Sequence, residues 1–362
     1  MAVQQGYGKM AGTDALVFAY DTGDVVNSYK GEPTENILAL GGSDTEIERS
    51  GTSYPYYSIN IDSYIQSRWS SSNNVLTLSY EGKRDYVAGG TGGGNDGYPV
   101  YYIYFTDWSW AATLGTGAYD WQYVKRTFTM PDPTTKSVRF AIYHMNSGNR
   151  GRSYSRKHML TFGDHAVPFV NGTRSATEGL LDLTGNYTLD ISNASFDSNA
   201  FITFDGSSDY IDVLNSTALF SGTQDLTVEA AYSLEGQGGG EIFGNYGSGH
   251  TTNHLWFSGM YGLWINGGVY VPGFPLANGR YHMVGTRKNG LVELYLNGEL
   301  VNSGTKNGSI ATDINYRIGA DVNGAAEPFT GDIYVVKAYN RALTAAEVKS
   351  NFNNYKTRFN IV

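Results

Sequence analysis

The chain has 362 residues, 41% hydrophobic and 16% charged, which is long enough for two folded domains and too apolar for a disordered chain. A formal net charge of −9 repels phosphate backbones and argues against nucleic-acid binding as a main function. The sequence contains no cysteine, so folding in a reducing cytoplasm is the simpler expectation. Residues 1–10 hold no apolar core or cleavage signal, and no stretch approaches the ~20 apolar residues of a membrane span, so membrane insertion is not expected. With 46 Gly, 29 Tyr and only 9 Pro, the composition favours many short strands and tight turns.

In chain order, Leu16–Asp21 is the first predicted strand. Val75–Tyr80, Val100–Phe105, Trp121–Thr129 and Val138–Tyr143 follow, each alternating and separated by Gly, Ser and Asn, which predicts an antiparallel sandwich. Further on, Phe201–Gly206 and Asp209–Val213 form a strand, turn and strand, and Leu226–Tyr232 is another strand. Leu255–Ile265 and Val269–Val271 are expected to pair around Asn266-Gly267. Strands from Tyr281 and over Leu291–Leu296 are bounded by Asn289-Gly290 and Asn297-Gly298, which suit type I′ turns because both central residues need φ > 0. Val292, Leu294 and Leu296 share one side and Glu293 and Tyr295 the other, predicting a meander with one buried face. Phe329–Tyr339 is the last strand. Thr344-Ala345-Ala346-Glu347 is a capping box, and Leu343 with Val348 makes a hydrophobic staple, so a helix begins there and is expected to end near Asn353.

These motifs carry a resemblance. The Tyr281–Val301 meander, Phe204-Asp205-Gly206 with Asp209-Tyr210-Ile211, and Phe329-x-Gly331-x-Ile333 with Asn340-Arg341-Ala342-Leu343-Thr344 resemble laminin-G-like, concanavalin A-type jelly rolls, in order over most of 196–356. Asp14–Asp24 looks like the first strand of such a domain. The turn that usually follows it occurs only at Asp182-Leu183-Thr184-Gly185-Asn186. The resemblance therefore implies a discontinuous laminin-G-like sandwich, 1–31 with 179–362, and an inserted sandwich, 32–178, similar to galactose-binding-like carbohydrate-binding modules. A surface-loop insertion costs little because loop-closure entropy grows slowly with length. The expected fold class is all-β, two antiparallel sandwiches and one short C-terminal helix. Val167–Ser175 resembles the exit from such an insertion in surface proteins of tailed bacteriophages.

Several residue groups are candidates for chemistry. Trp108, Trp110 and Trp121, with Tyr119 nearby, offer rings for the apolar faces of sugars, and Asp107 and Asp120 offer acceptors; the alternative is that two of the rings are core and the others cover a sheet edge. Trp256, Tyr261 and Trp264 form a second aromatic group, for which alternation favours core or inter-sheet packing. Arg150, Arg152, Arg156 and Lys157, with His158, are the only basic cluster and are candidate subunit contacts, against a solvated loop. Gly89–Gly97 lacks the Gly-Lys-Ser/Thr of a phosphate loop. Asp205, Asp209, Asp212, Asp321 and Asp332 leave a structural Ca²⁺ open without assigned ligands, and His250 with His254 lies in a Gly-rich context that disfavours a metal pair. No other cofactor is expected. Glu229, Glu235 and Glu241 are scattered and make no Glu-x-Asp-x-x-Glu run, so a hydrolase is not expected.

The resemblance implies a non-enzymatic protein of a phage virion surface, a head decoration or a tail or fibre-tip adhesin, made in the host cytoplasm. Its implied partners are other virion proteins of a capsid or tail lattice, further copies of itself, with a trimer the first expectation, and cell-surface glycans. A soluble glycan-binding lectin is the alternative, and a hydrolase a third.

Overall fold

Strands dominate the chain, and only two α-helices occur among the described residues. The computed structural model describes residues 13–38, 46–50, 57–86, 98–116, 118–145, 151–197, 201–247, 254–265, 268–270, 276–323 and 327–362. Two units form: Met1–Pro33 with Ser175–Asp197 and Phe201–Val362, and Thr34–Arg174 with Ser198–Ala200.

The second unit has two four-stranded sheets. One runs Ile47–Ser50, Gly151–Phe162, Val75–Tyr86, Gln122–Thr129; the other runs Tyr57–Asn60, Val138–Met145, Tyr98–Phe105, Ala111–Gly115. Alternation fills its core: Leu76, Leu78 and Tyr80 from one sheet join Tyr101, Ile103, Phe105, Phe140 and Ile142 from the other. A seven-residue helix, Asp62–Arg68, lies outside the elements expected from sequence. It buries Ile65, and Asp62 accepts a hydrogen bond from Ser137 Oγ at 3.1 Å. The first and last strands of the unit, Thr34–Glu35 and Thr173–Arg174, pair antiparallel.

The first unit is a sandwich of eight and seven strands. Leu16–Asp21 pairs with Phe329–Tyr339, placing residues more than 300 positions apart in one sheet. Asp182 secures this first strand: its Oδ1 accepts from Ala19 N at 2.9 Å, and its Oδ2 accepts from Thr184 Oγ1, Asn186 N and Tyr187 N at 2.6, 3.0 and 3.1 Å. The inward residues of both sheets, among them Phe18, Tyr20, Val228, Tyr232, Phe243, Leu263, Val292 and Leu294, form one core.

The Asn-Gly turns have the expected backbone, with φ of 48° and 80° at Asn289-Gly290 and 51° and 79° at Asn297-Gly298. The expectation of one buried face for this meander is corrected. Val292 and Leu294 enter the main core, while Tyr295 on the opposite side is buried with Val284, Tyr339, Leu343 and Val348. The cover on that side is the terminal helix, Ala345–Arg358, which continues past Asn353. Its Phe352 and Tyr355 pack on Ala231 and Val335, so the centre of the outer face of the eight-stranded sheet is covered. Charge lies beneath it. Glu229 is fully buried and accepts hydrogen bonds from His282 Nε2 at 2.8 Å, Tyr339 OH at 2.7 Å and Asn351 Nδ2 at 3.2 Å. Burial alone would push the Glu229 carboxyl up, but the bond and charge of His282, with Lys337 and Tyr339, outweigh it and hold the group below the usual glutamate value.

Candidate functional site

The structure separates the three tryptophans expected to act together. Trp108 follows Tyr98–Phe105, at a left-handed φ of 57°, with its ring stacked on Tyr104 at 4.3 Å and 14° and its other face open at 57% exposure. Asp107 braces that turn, accepting from Ser109 N and Oγ at 3.0 and 2.7 Å and pairing with Lys136. Trp110 packs against the core of the unit through Phe105 and Phe128. Trp121 is half-buried beside the other sheet, and the guanidinium of Arg156 and the ammonium of Lys83 lie over its ring at 4.2 and 5.1 Å. Asp120 is exposed next to it, and the exposed Tyr119 carries Arg84 over its ring at 4.4 Å.

Trp121 and the basic cluster, read separately from sequence, thus share one place. Arg156 and Lys157 both bond Glu81 at 2.7 Å, and Arg152 pairs with Glu48 at 3.1 Å, so these cations are already partnered. Arg150, Gly89–Gly97 and His250 lie outside the described residues. His254 is buried and bonds Asp313 at 3.3 Å.

The second aromatic group gives a different result. Leu255–Ile265 is a hairpin rather than one strand: Leu255–Ser258 and Gly262–Ile265 pair, with Trp256 opposite Trp264. The turn forms because Ser258 Oγ accepts from Met260 N and Tyr261 N, each at 3.3 Å, and Gly262 takes a φ of 86°. Leu255, Phe257, Leu263 and Ile265 enter the core, which turns both indoles to the outer face. Core packing of these tryptophans is therefore corrected. Tyr246 meets Trp264 edge-on at 4.9 Å, and Tyr261, 41% exposed, lies 6.1 Å from Trp256 at 27°.

These rings belong to a register row that crosses the whole seven-stranded sheet. Asp190 pairs with Asp212, Asp212 with Arg317, Arg317 with Gly244, Gly244 with Trp256, Trp256 with Trp264, and Trp264 with Val269. Gly244 is the step in the row without a side chain, and the Glu241 carboxyl lies over it: a Cβ at Gly244 would overlap Glu241 Oε1 and the Leu255 carbonyl oxygen. Glu241 therefore fills the step at Gly244, which has Arg317 on one side in the row and the indoles on the other.

Arg317 donates from Nε to Asp212 and from Nη1 to the Asp321 carbonyl oxygen, both at 2.8 Å, and stacks on Tyr210 at 3.8 Å. Glu241 is fully buried, and neither carboxyl oxygen has a hydrogen-bond partner among the described residues; the same holds for the buried Trp256 Nε1. Burial, with Asp321 and Glu327 nearby, raises the Glu241 carboxyl well above its usual value despite the opposing charge of Arg317.

The other carboxylates have local duties. Asp209 accepts from Ser195 Oγ at 2.7 Å and Asp205 N at 2.8 Å, Asp332 accepts from Tyr334 OH at 3.2 Å, and Glu235 is exposed. Among the described residues, no group of three or more His, Cys, Asp or Glu is placed to hold a metal ion. Glu241, Gly244, Arg317 and Tyr246 were not singled out from the sequence as one site. The usable signal was the position of Trp256 and Trp264, equidistant from Met260 at the centre of the hairpin turn.

Comparison with known proteins agrees with this architecture. Residues 205–349 match the family model described as the concanavalin A-like lectin/glucanases superfamily, so the first unit carries a concanavalin A-like jelly-roll domain. No curated protein matches the chain in sequence. Domain 4 of AbnA, a GH43 extracellular arabinanase from Geobacillus stearothermophilus solved with arabinotriose, is similar in structure at 19% identity and a TM-score of 0.37, over 48% of this chain and 91% of that one. The binding domain of Paraclostridial Mosquitocidal Protein 1 is similar at 16% identity and a TM-score of 0.40, over 49% of each chain. Trypanosoma rangeli sialidase is similar at 16% identity and a TM-score of 0.37, and this chain spans only 30% of its length.

Proposed function

We propose that the chain is a non-enzymatic glycan-binding protein and that its ligand seats on the outer face of the seven-stranded sheet. The observation that carries this reading is the register row: two paired indoles, flanked by Tyr246 and Tyr261, lie beside Gly244, which the Glu241 carboxyl covers, and a line of polar groups. A pyranose needs both elements, ring faces for its C–H surface and fixed polar groups at its edge. The outer face of the opposite sheet of the same sandwich is covered across its centre by the terminal helix.

Screening the whole chain on a glycan array tests the proposal. Trp256→Ala should abolish the captured signal while circular dichroism is unchanged. An array signal that Trp256→Ala and Trp264→Ala both leave intact would overturn it. Release of reducing ends from a bound glycan would overturn its non-enzymatic part. In this reading the chain stands on a virion surface among neighbouring copies, as its sequence resemblance implies, and immunogold labelling of particles from the source tests that placement. Label on heads or tail ends supports it; unlabelled particles leave a soluble lectin.

A further inference from the structure

The charge on this face narrows the ligand class, an inference that rests on the binding reading above. We propose that the site takes uncharged saccharides and rejects those bearing a sialic acid, a uronate or a sulfate. The row supplies Asp190 and Asp212, and Asp321 and Glu327 lie close enough to act on Glu241 and Tyr246. Against these four carboxylates stands Arg317, whose guanidinium is already engaged by Asp212, by the Asp321 carbonyl oxygen and by the Tyr210 ring. Among the described residues, an anionic sugar would meet no uncommitted cation there. It would also add negative charge beside Asp321, which is itself buried. Like-charge juxtaposition across an interface is costly, and more so when one partner is shielded from water.

The fit of an uncharged ligand is local. Glu241, which covers Gly244, and Trp256 Nε1 are buried polar groups without hydrogen-bond partners among the described residues. Groups left this way are satisfied by a water or a ligand hydroxyl. The charged groups that act on Glu241 are Asp321 and Glu327, which disfavour its ionised form, and Arg317, which favours it.

The test uses the full chain and matched oligosaccharide pairs that differ only by a sialic acid, a uronate or a sulfate, titrated by calorimetry at low and high salt. The expected result is Trp256-dependent binding of the neutral member, with its acidic counterpart weaker by about tenfold or more at low salt and the gap narrowing as salt screens it. Asp212→Asn, which removes the carboxylate covering Arg317, should selectively strengthen the acidic member. Trp256-dependent binding of the acidic member as tight as or tighter than the neutral one overturns the inference and leaves the glycan-binding reading standing. Absence of Trp256-dependent binding for every pair overturns both. Binding of acidic sugars that Trp256→Ala does not affect belongs to another surface and supports the restriction at this one.

Discussion

The two outer faces of the first sandwich start from the same kind of strand and end differently. Each carries a fully buried glutamate. Glu229, beneath the terminal helix, has His282, Tyr339 and Asn351 as partners and a carboxyl held low. Glu241, on the open sheet, has no partner among the described residues and a carboxyl held high. Burial costs the charged form in both places, and the sign of the outcome is set by what surrounds it. The covered face is not complete in every bond, since the buried His282 Nδ1 has no partner among the described residues, but its carboxyl is fully engaged where that of Glu241 is not.

The strongest way to break this contrast is at the Glu229 network. Glu229→Ala removes the acceptor that buried His282, Tyr339 and Asn351 share, and loss of one partner from a buried charged network costs about 3–5 kcal/mol. Denaturant titration of the first unit should show that loss; a cost near zero would mean that the network contributes nothing to docking the helix. Glu241 should respond in the opposite direction. Glu241→Met exchanges an unpartnered buried carboxyl for an apolar side chain of similar length, and at pH 7 should stabilise by about 1–3 kcal/mol.

The pH dependence separates the two further. Glu229 has a lowered folded value, so its contribution is present above the ordinary glutamate value and is lost as pH falls through the folded one. Glu241 has a raised folded value, so its contribution is full below the ordinary glutamate value and declines as pH rises toward the folded one. Melting scans across pH should show Glu229→Ala flattening the acid limb and Glu241→Met flattening the limb above it. Parallel profiles in the two variants would refute the assignment.

What the sequence disclosed follows the range of the interactions involved. Asn289-Gly290 and Asn297-Gly298 set their own backbone, and Thr344 with Glu347 closes its own cap, so these were readable within four residues. Leu16–Asp21 was legible as a strand, but the residue opposite Phe18 is Ala338, and only the fold supplies that pairing. Leu255–Ile265 was misjudged because an apolar run hides a turn whose signal is one serine hydroxyl and one glycine. The seven strands of the open sheet do not follow chain order, so Asp212, Arg317, Gly244 and Trp256 meet only there. A bulge between Glu241 and Phe243 shifts the alternation locally, which is why Glu241 reads from sequence as one scattered acid among several. The short helix Asp62–Arg68 has no capping side chain to announce it.

A smaller effect is expected where the covering element itself begins. Thr344 Oγ1 accepts from Glu347 N at 3.3 Å, and Glu347 Oε2 accepts from Thr344 N at 2.8 Å. Arg341 grips both Glu347 oxygens, at 2.7 and 2.9 Å, and chiefly through that bond lowers its carboxyl to about 2. Thr344→Ala removes one half of the reciprocal cap and leaves the Arg341 grip, so the cost should be about 1 kcal/mol, or ~2–4 °C in melting temperature for a unit of this size. Among the described residues the helix packs on the eight-stranded sheet, so glycan affinity at the seven-stranded face should stay within error while the melting point drops. If affinity falls along with stability, the covered face and the open one are energetically coupled through the shared core, and the division of labour between the two sheets is wrong.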